Sequence, residues 1–153
     1  RGLPAETAAL SLSSFWAALV MGRLVVSAVV LRLPASVPWM TLPLLILAAF
    51  LALPLVSNPA TAIGAYVLAG LACSAFFPLT VAIASGRFPD AVSWVSSMLT
   101  AALMTGVGLG SFAVGALKAA VPLDSLFVLS TAYPVLILLL IVPVVRARRE
   151  QTA

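Results

Sequence analysis

Few side chains in this sequence could take part in chemistry. The chain has no histidine, one cysteine and four acidic residues. The acids Glu6, Asp90, Asp124 and Glu150 lie in polar stretches outside the apolar runs. The apolar runs therefore lack the groups that haem binding, acid–base hydrolysis or metal catalysis needs. A serine nucleophile would lack a histidine to activate it, so we expect no enzyme activity, metal or cofactor.

The elements that position the remaining side chains are predicted from run length. The sequence is 63% hydrophobic and 8% charged, whereas about 25% of residues are charged in soluble domains. A helix needs about 20 mostly apolar residues to cross a hydrocarbon core about 30 Å thick. We therefore predict an all-α polytopic helical membrane protein, a single domain over residues 1–153. Its five transmembrane helices are expected at 8–30, 38–56, 62–85, 92–117 and 126–145, before a basic tail at 146–153.

The basic residues predict how these spans are oriented. Arginines near span ends stay on the cytoplasmic side, which places the tail in the cytoplasm and Arg1 outside. A start on the outside without a signal sequence, and without Met, predicts that the chain is a fragment of a longer protein. Charges at span ends, rather than in one patch with exposed aromatics, argue against nucleic-acid binding. The predicted inner group is Arg23, Arg32, Arg87, Arg146, Arg148 and Arg149, and the outer group is Arg1 and Lys118.

The tryptophans fall into two groups. Trp39 and Trp94 lie just inside predicted cytoplasmic span ends, where indole rings prefer the headgroup level. Trp16 lies several residues inside the first span. An interfacial position therefore explains the first two and not the third.

The third span carries a stripe of residues that could line a substrate path. At about 100° per residue, the residues of this stripe fall on one side of the helix. Leu68, Leu71, Ala75 and Leu79 fall on the opposite side. Pro78 would loosen the hydrogen-bond ladder and let the helix bend. The alternative is a helix packed through small residues, with its tyrosine near the outer interface. The stripe consists of Tyr66, Gly70, Cys73, Phe77 and Thr80.

The first span combines a packing face with two candidate functional residues. Trp16 and Arg23 are seven residues apart and share a face. Arg23 could extend its side chain to the cytoplasmic interface, or it could act at a gate with Trp16 above it in the path. The predicted packing face consists of the small residues Ser11, Ser14, Ala18 and Gly22.

The fourth span is predicted to pack closely with another helix. Ala102, Gly106 and Gly110 place a small residue at every fourth position, which lets two membrane helices approach. Smooth contacts of this kind could also let helices slide or rock, so Gly106 and Gly110 are hinge candidates. The fifth span is almost uniformly apolar and is expected to face lipid.

Three segments of the sequence resemble a known family. They are SSFWAALVMGRL at 13–24, FFPLTVAIASGRFPD at 76–90 and TGVGLGSFAVG at 105–115. In their order and spacing they are similar to helices eight to twelve of a major facilitator superfamily transporter, and the FW…GR and FP…RFP elements are most similar to the fucose permease type. The resemblance implies five helices of a six-helix half. The missing N-terminal half of the same chain would then be the partner.

The resemblance also implies a function. Such transporters hold a small solute between two halves and expose it to each side of the membrane in turn. The third span would line the cavity, the first and fourth would flank the contact between halves, and the second and fifth would support them. Val26 stands where the family's G-x-x-x-D-R loop has its acid after Gly22, so the sequence does not support a charge-paired gate in this half.

The expected function is therefore secondary transport in a plasma or bacterial inner membrane. The substrate would be sugar-like or an exported apolar compound, with a proton or sodium ion as possible coupling ion. The substrate-path candidates are Trp16, Tyr66, Cys73, Phe77 and Thr80, and the gating or hinge candidates are Arg23, Pro78, Gly106 and Gly110. The alternative is a non-transporting membrane subunit or assembly scaffold that packs through the Gly106 and Gly110 surface.

Overall fold

The computed structural model describes residues 4–150, including every side chain in that range except those of residues 123–124 and 142–150. Arg1, residues 151–153 and the side chains of Asp124, Arg146, Arg148, Arg149 and Glu150, all used in the sequence predictions, lie outside the described part. Within it the chain is helical, which confirms the all-α class. The α-helices are α1 (Ala5–Val30), α2 (Ser36–Ala52), α3 (Pro59–Cys73), α4 (Phe76–Arg87), α5 (Val92–Leu117), α6 (Leu123–Ser130) and α7 (Ala132–Glu150).

In the part of the chain that the structure describes, four helical segments are long and apolar enough to cross a membrane. Two of them include a 3₁₀ turn, Leu53–Leu55 after α2 and Pro89–Ala91 before α5. Their bounds agree within a few residues with the first four predicted spans, because run length fixes such elements more firmly than local propensity does. The chain thus has the make-up of a helical membrane protein. The segments are Ala5–Val30, Ser36–Leu55, Pro59–Arg87 and Pro89–Leu117.

The predicted fifth span at 126–145 differs from the structure. One continuous helix was expected, whereas the structure has α6 and α7 with a break at Thr131. Pro134 causes the break, because it has no amide hydrogen for the carbonyl of Ser130, four residues earlier, and its ring crowds that carbonyl. The described apolar part, Ser125–Ile141, is shorter than the other four segments. A fifth crossing therefore remains a prediction.

Helix α1 packs lengthwise on α3 through small side chains. Its buried residues are Thr7, Ser11, Ala18 and Gly22, three of which belong to the predicted small-residue face. Close backbone approach increases van der Waals contact, which is the main attraction between helices when both are surrounded by lipid. The face predicted for packing is therefore confirmed, with Ser14 at its half-buried edge.

A cluster of buried apolar side chains lies where α1 ends, α2 begins and α4 passes. Leu42, Ala75 and Leu79 are buried there. Arg32 lies in the α1–α2 turn and Arg87 ends α4, so the antiparallel order of the helices brings both arginines toward this end. This placement agrees with the predicted segregation of basic residues. The half-buried residues around the cluster are Val26, Val30, Ala35, Trp39 and Phe76.

Helix α5 stands apart from this arrangement. Val95, one turn from its start, is its buried residue, and residues 101–117 are all exposed. Its contacts are mainly with α4 and the Pro89–Ala91 turn. The helix is thus joined to the rest near one end and presents most of its length outward.

Candidate functional site

The candidate site is built around a break in the third membrane-length segment. The segment Pro59–Arg87 has 29 residues, and its helix is interrupted at Ser74 and Ala75, at the middle of its length. Ala75 has φ −123° and ψ 0°, outside the helical region. The helix is therefore interrupted three to four residues before Pro78 rather than at the proline itself.

Pro78 explains the position of the break. A helical residue at this place would donate its amide hydrogen to the carbonyl of Ser74, four residues earlier. Proline has no such hydrogen, and its ring crowds the same carbonyl. The chain turns more tightly instead: the Ser74 amide donates to the Leu71 carbonyl at 3.3 Å, and the Ser74 hydroxyl donates to the same oxygen at 2.7 Å.

Arg23 takes the place of the missing donor. Its Nε donates a hydrogen bond to the Ser74 carbonyl oxygen at 3.1 Å. Helix α1 can approach Ser74 closely because the residue before Arg23 is a glycine. A Cβ at Gly22 would lie 2.5 Å from the Ser74 hydroxyl oxygen. Ser74 is fully buried while Arg23 is exposed. The guanidinium is thus hydrogen-bonded through Nε, and it carries four further N–H groups.

The five stripe residues of the third span do not share one environment. Tyr66 and Phe77 are half-buried, and Cys73 is exposed beside the break. Gly70 is buried, and a Cβ there would overlap the carbonyl oxygen of Phe15 in α1. The break lies between Cys73 and Phe77, so the five residues are divided between α3 and α4 rather than lying on one continuous helix.

Thr80, the last stripe residue, is joined to α2. The indole Nε1 of Trp39 donates to its hydroxyl oxygen at 2.9 Å, and the Thr80 hydroxyl donates to the Phe76 carbonyl at 2.8 Å. The Trp39 ring also stacks on the Phe76 ring, with centroids 6.5 Å apart and planes 7° apart. Trp39, predicted as an interfacial anchor, therefore fixes α2 to α4.

The remaining candidates lie on outward surfaces. Trp16 is 58% exposed and meets Phe15 edge-on, with ring centroids 5.5 Å apart. Pro78 is exposed. Gly106 and Gly110 have no atom within 4 Å of an added Cβ. The structure thus brings Arg23 and the residues of the break together and leaves Gly106 and Gly110 apart from them on α5.

Two open concavities lie away from these residues. One, of about 300 Å³, lies between the end of α2 and the start of α3. Another, of about 470 Å³, runs along α5 and is lined by Ser96, Ser97, Thr100, Ala101 and Met104. The hydroxyls of Ser97 and Thr100 donate to carbonyls of their own helix. Apart from the Ser96 hydroxyl, the side chains of these linings are therefore apolar or already hydrogen-bonded. The first concavity is lined by Ala52, Leu55, Val56, Thr61, Gly64, Ala65 and Leu68.

The described side chains contain no group of three or more metal-ligand residues. Polar atoms near the break are carbonyl, hydroxyl and guanidinium groups, which bind solutes by hydrogen bonding and charge. The arrangement can recognise a ligand and can bend, and it offers no nucleophile paired with a base.

Sequence reasoning missed two features for which a signal was present. Pro134 could have marked the break at Thr131, because proline removes the donor to the carbonyl four residues earlier, although Pro43 lies inside the continuous helix α2. The N-P-A-T run at 58–61 is a capping box: Asn58 accepts from the Thr61 amide at 2.9 Å, and Thr61 accepts from the Asn58 amide at 3.2 Å.

Comparison of the whole chain with known proteins finds no matching family model, no matching curated protein and no matching solved structure.

Proposed function

We propose that the chain is part of a secondary transporter that moves a small solute across a membrane by alternating access. The observation that carries the proposal is the break at the middle of the Pro59–Arg87 segment. Non-helical backbone at membrane depth is tolerated where it is buried in protein or lines a water-filled cavity. Transporters use such discontinuous helices to bind substrate near the midplane.

The resemblance to the major facilitator superfamily supports the same proposal. It would make this chain helices eight to twelve, with an N-terminal half of the same protein facing Trp16, the break and α5. The basic residues would place the tail in the cytoplasm of a plasma or bacterial inner membrane. In this arrangement Tyr66, Cys73 and Phe77 line the path beside the break, while Thr80 holds α4 to α2.

The first experiment is to read the source DNA upstream of the codon for Arg1. The proposal expects an open frame with about seven further apolar segments, as twelve helices in two halves require. A start codon directly before Arg1 would contradict the two-half arrangement within one chain.

Solute flux into proteoliposomes tests the function itself. The intact gene product is purified and assayed with a labelled panel of sugars, small organic acids and lipophilic cations. We expect saturable flux whose kinetics change when Tyr66, Phe77 or Trp16 is replaced by alanine. Trp94→Ala is the matched control, because Trp94 is 67% exposed, comparable to the 58% of Trp16, but lies at the start of α5, beyond the end of α4 that is far from the break. Unchanged kinetics in all three variants at normal protein levels would contradict the path assignment.

A second candidate function rests on α5. Its glycines are open to a partner helix, and a surface of small residues suits helix association in lipid. A non-transporting subunit would use this surface for assembly. It would give no flux with any member of the panel, and Gly106→Leu would abolish its association with partner proteins.

A further inference from the structure

The Arg23 guanidinium contacts the third membrane-length segment at its break. The Ser74 carbonyl that it contacts lies at the middle of the Pro59–Arg87 segment. At 1.5 Å per residue this oxygen is about 20 Å along the helix from Arg87. A guanidinium that extends to the headgroup region would point away from this level. Arg23 lies about 10 Å along α1 from Val30 at the end of that helix, and its bond to Ser74 holds Nε at the level of the break.

A positive charge at this depth needs compensation. Charged side chains within membrane segments face a cavity or pair with other groups, because lipid cannot solvate them. The Ser74 carbonyl satisfies Nε alone, and the two terminal amino groups of the guanidinium remain for another partner.

The described carboxylates are too distant to supply that partner. Glu6 lies in the first turn of α1, about 25 Å along the helix from Arg23. Asp90 lies in the 3₁₀ turn beyond α4, more than about 20 Å along the chain from Ser74. The compensating negative charge at this level is thus expected from outside the described side chains.

We propose that Arg23 binds the oxyanion group, carboxylate or phosphate, of a small solute. The inference rests on the proposed transport function and names the substrate class of the same site. The planar fork of arginine matches two oxygens of such a group, and the bond from Nε to Ser74 fixes its orientation. Trp16, exposed and seven residues earlier on the same helix face, offers an apolar surface for the body of the solute.

Ligand-induced stabilisation tests this proposal. The purified protein in phosphatidylcholine nanodiscs is heated with acetate, succinate, benzoate or inorganic phosphate, with glucose as the neutral control. We expect at least one oxyanion to raise the unfolding midpoint saturably. Arg23→Gln should raise its dissociation constant at least about tenfold, and Arg23→Lys should have an intermediate effect because lysine keeps the charge without the fork. Arg32→Gln, which removes an exposed arginine from the α1–α2 turn, should change nothing.

A double variant separates binding from folding. If Arg23→Gln unfolds because the Ser74 carbonyl loses its donor, Arg23→Gln with Pro78→Ala restores a main-chain donor to that carbonyl. The double variant should fold and still fail to bind the oxyanion, whereas Pro78→Ala alone should bind it. Binding by the double variant at wild-type affinity would overturn the proposal.

The remaining outcomes distinguish the site from the function. Absence of stabilisation by every oxyanion, or stabilisation only in nanodiscs that contain phosphatidylglycerol, would overturn the solute proposal, the second result in favour of a lipid headgroup. Arg23-dependent binding without flux would contradict the transport function and leave the oxyanion site standing. Flux of a neutral sugar that Arg23→Gln does not alter would support the transport function and contradict the oxyanion site.

Discussion

Gly70 of α3 lies against the main chain of Phe15 in α1, so close that a methyl group at its α-carbon would overlap the Phe15 carbonyl oxygen. This contact and the contact of Gly22 with Ser74 together set the distance between α1 and α3 over two helical turns. These contacts determine whether Arg23 can reach the break.

Gly70→Ala is expected to destabilise the protein by about 1–3 kcal/mol, because the added methyl group forces α1 and α3 apart. Gly64→Ala is the matched control in the same helix, since nothing lies within 4 Å of its added Cβ. That change should be neutral or stabilising by up to about 1 kcal/mol, as alanine favours the helix. Thermal unfolding in detergent, followed by circular dichroism, measures both. Equal midpoints for the two variants would show that the close contact is absent.

The hydrogen bond from Trp39 to Thr80 predicts coupling between α2 and α4. Thr80→Val leaves the half-buried indole N–H without its acceptor and should lower stability by about 1–3 kcal/mol. Trp39→Phe removes the donor as well, so the double variant should lose less than the sum of the single losses, by about 0.5–3 kcal/mol. Unfolding midpoints of the four proteins give this coupling. Thr100→Val, on the exposed surface of α5, serves as control, and strictly additive losses would contradict the bond.

Arg23 and Pro78 should be coupled through the Ser74 carbonyl. Arg23→Met removes the charged donor and should cost about 1.5–3 kcal/mol in an otherwise unchanged protein. In a Pro78→Ala background residue 78 has an amide hydrogen again, so the same change should cost distinctly less. The comparison again uses thermal unfolding. A loss of the same size in both backgrounds would mean that Arg23 does not replace the missing donor.

The Asn58 cap predicts local stability at the start of α3. Asn58→Ala removes the acceptor for the Thr61 amide and should cost about 1 kcal/mol. Hydrogen–deuterium exchange should become faster in the first turn of α3 and stay unchanged in α5. Ser57→Ala is the control, since Ser57 contributes its main-chain amide to Thr61, which alanine retains. Faster exchange in both variants would indicate a general effect of the turn.

Cys73 reports on water at the break without any engineering, because it is the single cysteine of the sequence and is exposed beside Ser74. A thiol reacts as the thiolate, which forms in water and not in lipid. If the break faces a water-filled path, the charged reagent methanethiosulfonate ethylammonium should label the protein in proteoliposomes. Benzyl methanethiosulfonate, which enters lipid, is the comparison. A thiol that faces lipid stays protonated, so labelling by neither reagent would contradict the water-filled path. Labelling by the benzyl reagent alone would mean that water reaches Cys73 but the charged reagent does not.

Much of the fold follows from the sequence because lipid imposes a simple rule of length and polarity. The first four segments and the small-residue face of α1 are examples, since run length and residue size are local properties. Pro78 and Pro134 each give a local reason for a helix break, but Pro43 lies inside the continuous helix α2, so proline alone does not determine where a helix breaks.

The candidate site was less predictable because its key contacts join distant parts of the chain. Nothing near Arg23 in sequence indicates that its partner is the carbonyl of Ser74, 51 residues away. The pairing of Trp39 with Thr80 is equally non-local, at 41 residues.

The sparse contacts of α5 determine how it would leave the membrane under force. Since it touches its neighbours mainly near its first turns, its position in lipid depends on its own apolar side chains. Pulled from its C-terminal end by an atomic force microscope tip, it should come out as an independent unit with its own force peak. The tightly joined α1 and α3 should come out together at a higher force, so the chain contains one mechanically strong pair and one loosely attached helix.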